Sequence, residues 1–213
     1  MRPNPLFASD DPELVKRLVR EHPWATLVTT TAGGLRASHY PVLVDEDAAG
    51  LTLLTHLGRP DDEVLEIDSG ELLVVVQGHH GYISPGWYST AESKVPTWNF
   101  TVAHLHGTPQ RLGEEENLEV LTRLVAHFER RRDRPAYLDR EEATPIARGT
   151  VGLRIPVDRF EIKRKLGQNK DDETRRNAIV ALRGEGPYRH PALAAEMERE
   201  LGAPEAKPGE QAG

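Results

Sequence analysis

A histidine and an arginine near the middle of the first half of the chain could together bind an anion. His56 and Arg59 lie at the end of an apolar segment, just before residues that predict a short helix. Backbone N–H groups at a helix start favour an anion, and an arginine beside them would bind a phosphate. The alternative is a solvated turn arginine and a histidine whose hydrogen bonds are satisfied at a strand end.

Two further histidines, His104 and His106, lie two residues apart in the alternating segment Lys94–Gly107, KVPTWNFTVAHLHG. Residues at this spacing share one face of a strand, and such a pair can bind a metal or a haem iron. No acidic third ligand is nearby in sequence. A polar face packed against a partner subunit is therefore favoured, and no metal site is predicted.

Aromatic and amide side chains offer contacts to a flat ring. Trp87, Tyr88 and Trp98 could stack on such a ring, although aromatic residues more often fill a core or an interface. The segment KRKLGQNK, residues 163–170, carries donors for the carbonyls and ring nitrogens of a cofactor. Its alternative interpretation is a polar loop before a helix.

Composition excludes several classes of protein. The 213 residues include no cysteine, which excludes disulfides, thiolate metal sites and iron–sulfur clusters. The net charge of -7 argues against direct nucleic-acid binding, which depends on neutralised phosphates. Glycine-rich nucleotide loops and the common hydrolase motifs are absent. With neither a secretion signal nor an apolar run of about 20 residues, a cytoplasmic protein without a membrane span is expected.

Periodicity predicts a mainly β chain with helices around it. A helix should begin at Asp11-Pro12, and others should cover Glu114–Arg132, Glu141–Arg148, DDETRRNAIVALRG and His190–Leu201. GHHGYISPGWYST is predicted to be a loop. Six or seven strands are expected: ATLVTT, LRASHYPVLVDE, LTLLTHL, ELLVVVQG, a long strand reaching Leu112, and TVGLRIPVDRFEI.

Antiparallel strands with short links in one chain of this size suggest a closed or nearly closed barrel. We expect one domain over residues 1–183. Residues 184–213 should add a C-terminal helix and a disordered tail from Ala203 onward.

Several segments occur in an order that resembles one known family. They are HPWATLVTT, ASHYPVL, HLGRP, GYISPGWY, VPTWNF with AHLHG, and KLGQNK. The chain resembles the PaiB family of FMN-binding split-barrel proteins, often labelled negative transcriptional regulators, from about Leu6 to Arg183. ISPGWY followed by VPTWN is the specific part of the match.

The resemblance implies a split β-barrel related to flavin oxidoreductases of the pyridoxamine phosphate oxidase type. It also implies a homodimer with FMN at the subunit interface, lined by the segment Lys94–Gly107. A flavin-dependent oxidoreductase with a nicotinamide donor is the favoured function. The implied cofactor-binding residues are Ser38, His39, His56, Leu57, Arg59, Trp98, Asn99, Lys165, Gln168 and Asn169.

The chain departs from the family in two places. The turn HLGRPDD carries Asp61 and Asp62 beside the implied phosphate site, and Gly167 replaces the serine of the family's KLSQN. Two alternatives stay open. One is a haem enzyme on the same barrel, similar to piperazate synthases, with His56, His104 or His106 as ligand. The other is a transcriptional regulator without catalysis.

Overall fold

The computed structural model describes residues 1, 4–90 and 94–202, so the predicted disordered tail lies outside the described residues. Its helices are α1 Pro12–Glu21, α2 Asp61–Val64, α3 Glu114–Glu129, α4 Arg140–Arg148, α5 Asp172–Arg183 and α6 Pro191–Leu201. Its strands are β1 Ala8–Ser9, β2 Trp24–Thr31, β3 Gly34–Pro41, β4 Leu43–Val44, β5 Thr52–Gly58, β6 Leu72–Ile83, β7 Thr97–Gly107, β8 Gln110–Arg111, β9 Thr150–Pro156 and β10 Arg159–Lys165. None of these helices is long and apolar enough to cross a lipid bilayer.

Helix starts follow the expected capping chemistry. The Asp11 carboxylate accepts a hydrogen bond from the Glu13 N–H at 2.9 Å, and Pro12 occupies the first helical position of α1. Asp171 accepts one from the Thr174 N–H in the same way at the start of α5. Both predicted helices are confirmed.

The strands form two mainly antiparallel sheets. The larger has the order β1-β10-β7-β6-β2-β3, and the smaller has the order β4-β5-β9-β8. The tight turn at Gly33-Gly34 sets the register of β2 against β3, from Thr31 opposite Gly34 to Trp24 opposite Pro41. β5 and β9 pair along their whole lengths, which brings the end of β5 beside the start of β9.

Four element predictions were wrong in extent. LRASHYPVLVDE, predicted as one strand, forms β3 and β4 in different sheets. GHHGYI, predicted as part of a loop, continues β6 to Ile83, because pairing within a sheet overrides the weak strand preference of glycine. The long strand after Lys94 ends at Gly107, and β8 is separate. The segment 150–162 is two strands in different sheets. Between them the Val157 N–H donates to the Leu51 carbonyl and the Asp158 N–H donates to the His106 carbonyl.

The chain forms two compact units. The described part of the first unit comprises residues 1, 9–78 and 102–162, and that of the second comprises 4–8, 79–90, 94–101 and 163–202. Leucines dominate both cores, and each buried leucine contributes about 1.5–3 kcal/mol. The core of the first unit includes Leu27, Leu53, Leu57, Leu105 and Leu153, and that of the second includes Leu166, Ile179, Leu182, Leu193 and Met197.

Candidate functional site

In the first unit, β5 ends in a turn that carries His56 and Arg59. The His56 ring is half-buried, 6.1 Å from the Tyr40 ring in an edge-to-face contact. Its Nδ1 atom is buried and has no hydrogen-bond partner among the described residues. Burial lowers the pKa of His56, so the imidazole favours its neutral form.

Strand β3 holds this turn in place through two hydroxyl groups. Ser38 donates to the Asp61 carboxylate at 2.9 Å and Tyr40 donates to the same oxygen at 2.8 Å. The Gly58 N–H in turn donates to the Tyr40 hydroxyl at 3.1 Å. Burial, together with the bond to Asp61, raises the pKa of Tyr40. His39 points to the other face of the strand, where it is exposed and stacks on Trp24.

A buried carboxylate lies behind the turn. Asp62 is only 2% exposed, and its Oδ2 atom is 2.8 Å from the Arg111 guanidinium and 3.5 Å from that of Arg59. Arg111 also binds Asp68, and hydrogen bonds to Asp68 and Asp62 raise the pKa of Arg111. Arg111 therefore neutralises Asp62, which leaves the half-exposed Arg59 as the cation of this turn that can accept a phosphate.

The helix start at this turn contributes less to anion binding than the sequence predicted. α2 is a single turn with Asp61, Asp62 and Glu63 in it, so acidic groups surround its N–H groups. Leu57 belongs to the core, and its buried side chain leaves only its backbone for a ligand. A phosphate here would depend mainly on Arg59.

In the second unit, β7 presents two neighbouring residues in opposite directions. Trp98 is 54% exposed, stacked on His80 with ring centroids 6.2 Å apart and edge-on to Tyr82. Asn99 is 2% exposed and donates to the Met197 sulfur at 3.4 Å. The Asn99 Oδ1 atom is buried without a partner in the part of the chain that the structure describes. Such an acceptor suits a ligand N–H.

Lys165 is the cation that this unit offers. Its ammonium donates to the hydroxyl of Thr97, the first residue of β7. Burial lowers the pKa of Lys165, and the charges of Lys163 and Lys170 lower it further. The side chain is half-buried and positioned on a strand rather than on a loop.

Gln168 and Asn169 differ from Lys165 in what they offer a ligand. Gln168 accepts from the Leu166 N–H at 2.8 Å and donates to the Arg164 carbonyl at 2.7 Å and to Glu200 at 3.1 Å. Its hydrogen bonds stabilise the loop itself, as the alternative interpretation of this segment expected. Asn169 is exposed.

Arg175 on α5 is a residue that the sequence did not single out. Its Nε and Nη2 atoms are buried, and no described residue accepts from them. A Cβ at Gly167 would lie 3.5 Å from the Arg175 side chain and 3.8 Å from the Asn99 amide nitrogen. Gly167 has φ +93°, a conformation that favours glycine. Neighbouring Arg175 and Arg176 look alike in sequence, so only the fold distinguishes the buried one.

His106 lies in an ion-pair network of the first unit, and His104 is half-buried on the same strand. The His106 Nδ1 atom is 3.0 Å from Glu71, which Arg159 also binds. Hydrogen bonds from Arg159 and then His106 lower the pKa of Glu71 to about 2. Among residues 1, 4–90 and 94–202, no group of three histidine or acidic side chains is arranged to hold a metal ion.

Comparison with known proteins places the chain in a family. It matches the model described as "Putative FMN-binding domain" over residues 1–159. It is 30% identical over 200 residues to the Protease synthase and sporulation protein PAI 2 of Bacillus subtilis (strain 168), covering 92% of this chain and 95% of that protein. The chain belongs to the PaiB family. FMN, the cofactor implied by the sequence resemblance, is confirmed at the level of this family's domain.

Solved structures support the split-barrel fold of this PaiB-family protein. The FAD and Heme binding protein from Mycobacterium smegmatis superposes with a TM-score of 0.57 at 19% identity, covering 84% of this chain and 80% of that one. The Flavocytochrome Anf3 from Azotobacter vinelandii gives a TM-score of 0.57 at 16% identity, covering 79% of this chain and 74% of that one. The predicted fold class is confirmed.

Each unit of the PaiB-family protein, taken by itself, carries side chains of the kinds that a flavin binds. FMN has a phosphate, ring carbonyls that accept hydrogen bonds and a ring N–H that donates one. The first unit offers Arg59 for a phosphate, and the second offers the unpartnered Asn99 Oδ1 for an N–H and Lys165 as a donor. Asp61 argues against a phosphate contact from Ser38. The Ser38 hydroxyl already donates to Asp61 and is not free to donate to a phosphate.

The buried histidines of this PaiB-family protein predict an acid-sensitive fold. Burial lowers the pKa of His56 below its ordinary 6.5, so between these two pKa values the unfolded chain binds more protons than the folded one. The free energy of unfolding should fall as pH drops below about 6.5, until the folded pKa is reached. His56→Gln should make this fall shallower, because His104, His127 and His190, whose pKa values burial also lowers, retain part of it. Urea titrations across this range test it, and parallel curves for parent and variant would contradict it.

Proposed function

We propose that this PaiB-family protein is an FMN-dependent oxidoreductase that takes electrons from a nicotinamide nucleotide. The match to the FMN-binding domain over residues 1–159 carries the proposal. Bound FMN would supply the electron transfer between donor and acceptor, and the protein would position and tune it. No polypeptide nucleophile is required for such chemistry, which agrees with the absence of cysteine and of the common hydrolase motifs.

The cofactor contacts that the family resemblance implies are supported within each unit taken by itself. In the first unit, Arg59 would bind the phosphate as a planar fork of N–H donors. In the second, Asn99 would accept a hydrogen bond from the ring, which removes the cost of leaving its buried Oδ1 unpaired. Positive charge on Lys165 would favour negative charge developing on the ring.

The functional form would be a homodimer with the flavin where two copies meet. Trp98 and Val95 are exposed apolar side chains at 54% and 64%. Large exposed apolar groups close together in sequence are typical of an interface. Sedimentation of the flavin-bound protein would test this, with a monomer counting against it.

The visible absorption spectrum of the freshly purified protein tests the cofactor. We expect flavin bands with quenched fluorescence, before or after addition of FMN, and bleaching of those bands by NADH or NADPH. Flavin binding without bleaching by either nucleotide would contradict the proposed donor. No flavin spectrum under any condition would contradict the proposed function itself.

Arg59→Ala should lower flavin retention, because it removes the cation proposed to bind the phosphate. Loss of a charge-assisted contact should weaken FMN binding about tenfold or more. The variant should still fold, since Arg111 continues to neutralise Asp62. Arg17→Ala on α1 is the matched control, being an exposed arginine of the same unit. Fluorescence titration with FMN measures both, and equal affinities would refute this phosphate site.

Haem binding is the second candidate, favoured by one observation. The buried Nδ1 of His56 has no partner within the described chain, and the solved relative from Mycobacterium smegmatis is named for FAD and haem together. A Soret band after addition of haemin, lost in His56→Gln, would support it. A purely regulatory role would instead require specific promoter binding, which the net charge of -7 disfavours.

A further inference from the structure

The first unit contains a cavity of about 480 Å³ between α3, α4 and the start of β9. Its charged lining comprises four arginines, Arg59, Arg111, Arg140 and Arg148, and two glutamates, Glu114 and Glu115, so cations are in excess. We propose that this cavity binds a small organic oxyanion, with phosphate or carboxylate groups, as a second ligand distinct from the flavin. A volume of this size lies within the range of small-molecule sites, about 300–1,000 Å³.

One of the four arginines has no carboxylate partner in the described residues, and a second is only weakly paired. Arg111 binds Asp62 and Asp68, and Arg140 forms an ion pair with Glu115. No carboxylate in the described residues pairs with Arg148, and the contact of Arg59 with Asp62 is loose at 3.5 Å. Guanidinium groups without partners favour ligands that bring phosphate or carboxylate oxygens.

A buried amide gives the cavity a second kind of contact. Asn117 on α3 is 4% exposed, and its Nδ2 donates to the Ala147 carbonyl at 3.1 Å and to the Thr150 hydroxyl at 3.0 Å. These bonds fix the amide orientation and leave Oδ1 buried without a partner in the described chain. An unpaired buried acceptor costs free energy, which a ligand hydroxyl or amine would recover.

The wall around this amide is shaped by a glycine. A Cβ at position 152 would lie 2.8 Å from the Asn117 Oδ1 atom, so Gly152 allows the close approach of α3 to β9. Leu118 and Val151 add apolar surface to the lining. Cations, one acceptor and an apolar wall together match an organic oxyanion that also carries a hydroxyl or amine, rather than a bare inorganic ion.

This inference rests on α3, α4 and β9 and does not require the flavin. Arg59 is the one residue that both proposals use, so Arg148 is the better probe. Arg148 is exposed at the end of α4, and replacing it with glutamine should leave the fold intact. Arg17→Gln on α1 serves as the matched control, since this exposed arginine does not line the cavity.

Isothermal titration calorimetry of the purified protein tests the site with three probes: inorganic pyrophosphate, AMP and citrate. We expect at least one to bind to the parent and to Arg17→Gln, with affinity about tenfold lower in Arg148→Gln. Flavin content, measured from visible absorbance, should be equal in all three proteins. Binding of AMP but not citrate would identify phosphate as the anion, and the reverse would identify carboxylate. Pyrophosphate, a bare inorganic ion, should bind less tightly than the organic probe.

Three results would overturn the inference. In the first, none of the probes binds the parent protein. In the second, a probe binds to the parent and to Arg148→Gln with equal affinity, which would place it elsewhere. Loss of flavin in Arg148→Gln would show that the cavity belongs to the flavin site. If none of the three proteins holds flavin and a probe still binds more weakly to Arg148→Gln than to the parent, the proposed function fails and this site stands.

Discussion

Gly107→Ala should destabilise the protein by about 3 kcal/mol or more, at the upper end for overpacking. A Cβ at this position would overlap the carbonyl oxygen of Pro156 and lie 3.1 Å from Cγ2 of Ile155. The nearest atom belongs to the backbone, and the neighbouring bond from the Asp158 N–H to the His106 carbonyl holds that backbone close. The strands would therefore have to separate. Urea unfolding followed by circular dichroism measures the loss.

The matched control for this substitution is Gly50→Ala. An added Cβ at Gly50 meets no atom within 4 Å, so we expect a change within about 0.5 kcal/mol. The two substitutions make the same chemical change and differ only in the space available to the added methyl group. Similar losses at both positions would show that the close approach of β7 to the end of β9 is not what fixes glycine at Gly107.

Arg111→Ala should cost about 3 kcal/mol, because it leaves the buried Asp62 carboxylate without its main partner. The expected loss lies at the low end for a buried pair, since Arg111 itself is 37% exposed and Arg59 remains 3.5 Å from Asp62. The free energy of unfolding in urea measures it.

A second substitution separates the buried charge from other effects of Arg111. Asp62→Asn in the Arg111→Ala background removes the uncompensated charge while keeping the side-chain size. We expect it to recover part of the lost stability. A double variant as unstable as the sum of both single variants would indicate that the two residues do not interact.

Local rules predicted the parts of the fold that depend on neighbouring residues. The N-cap at Asp11 is set within a few residues, and the structure has it as predicted. The helix from Asp172 also begins where the sequence predicted one. The extension of β6 through GHHGYI and the break between β9 and β10 depend on partners far along the chain. Glycine and histidine carry no local signal for such pairing.

The candidate site likewise contains residues that could be predicted from the sequence and residues that only the fold reveals. Residue types pointed to Arg59 and Lys165, and the family resemblance implied Asn99; each offers a charge or an acceptor in the structure. Gln168 has the right chemistry, but its own loop uses its hydrogen bonds. Arg175 is recognisable only from its burial without an acceptor, which no sequence pattern reports.

The backbone of the turn before α2 is held on two sides. The Gly58 N–H donates to the Tyr40 hydroxyl, and the Arg59 N–H donates to the Gly149 carbonyl at 3.0 Å. An anion arriving here would find main-chain torsions that are already restricted, so only the Arg59 side chain would lose rotational freedom. That ordering costs about 0.5–1.5 kcal/mol, a small entropic penalty for capturing a phosphate.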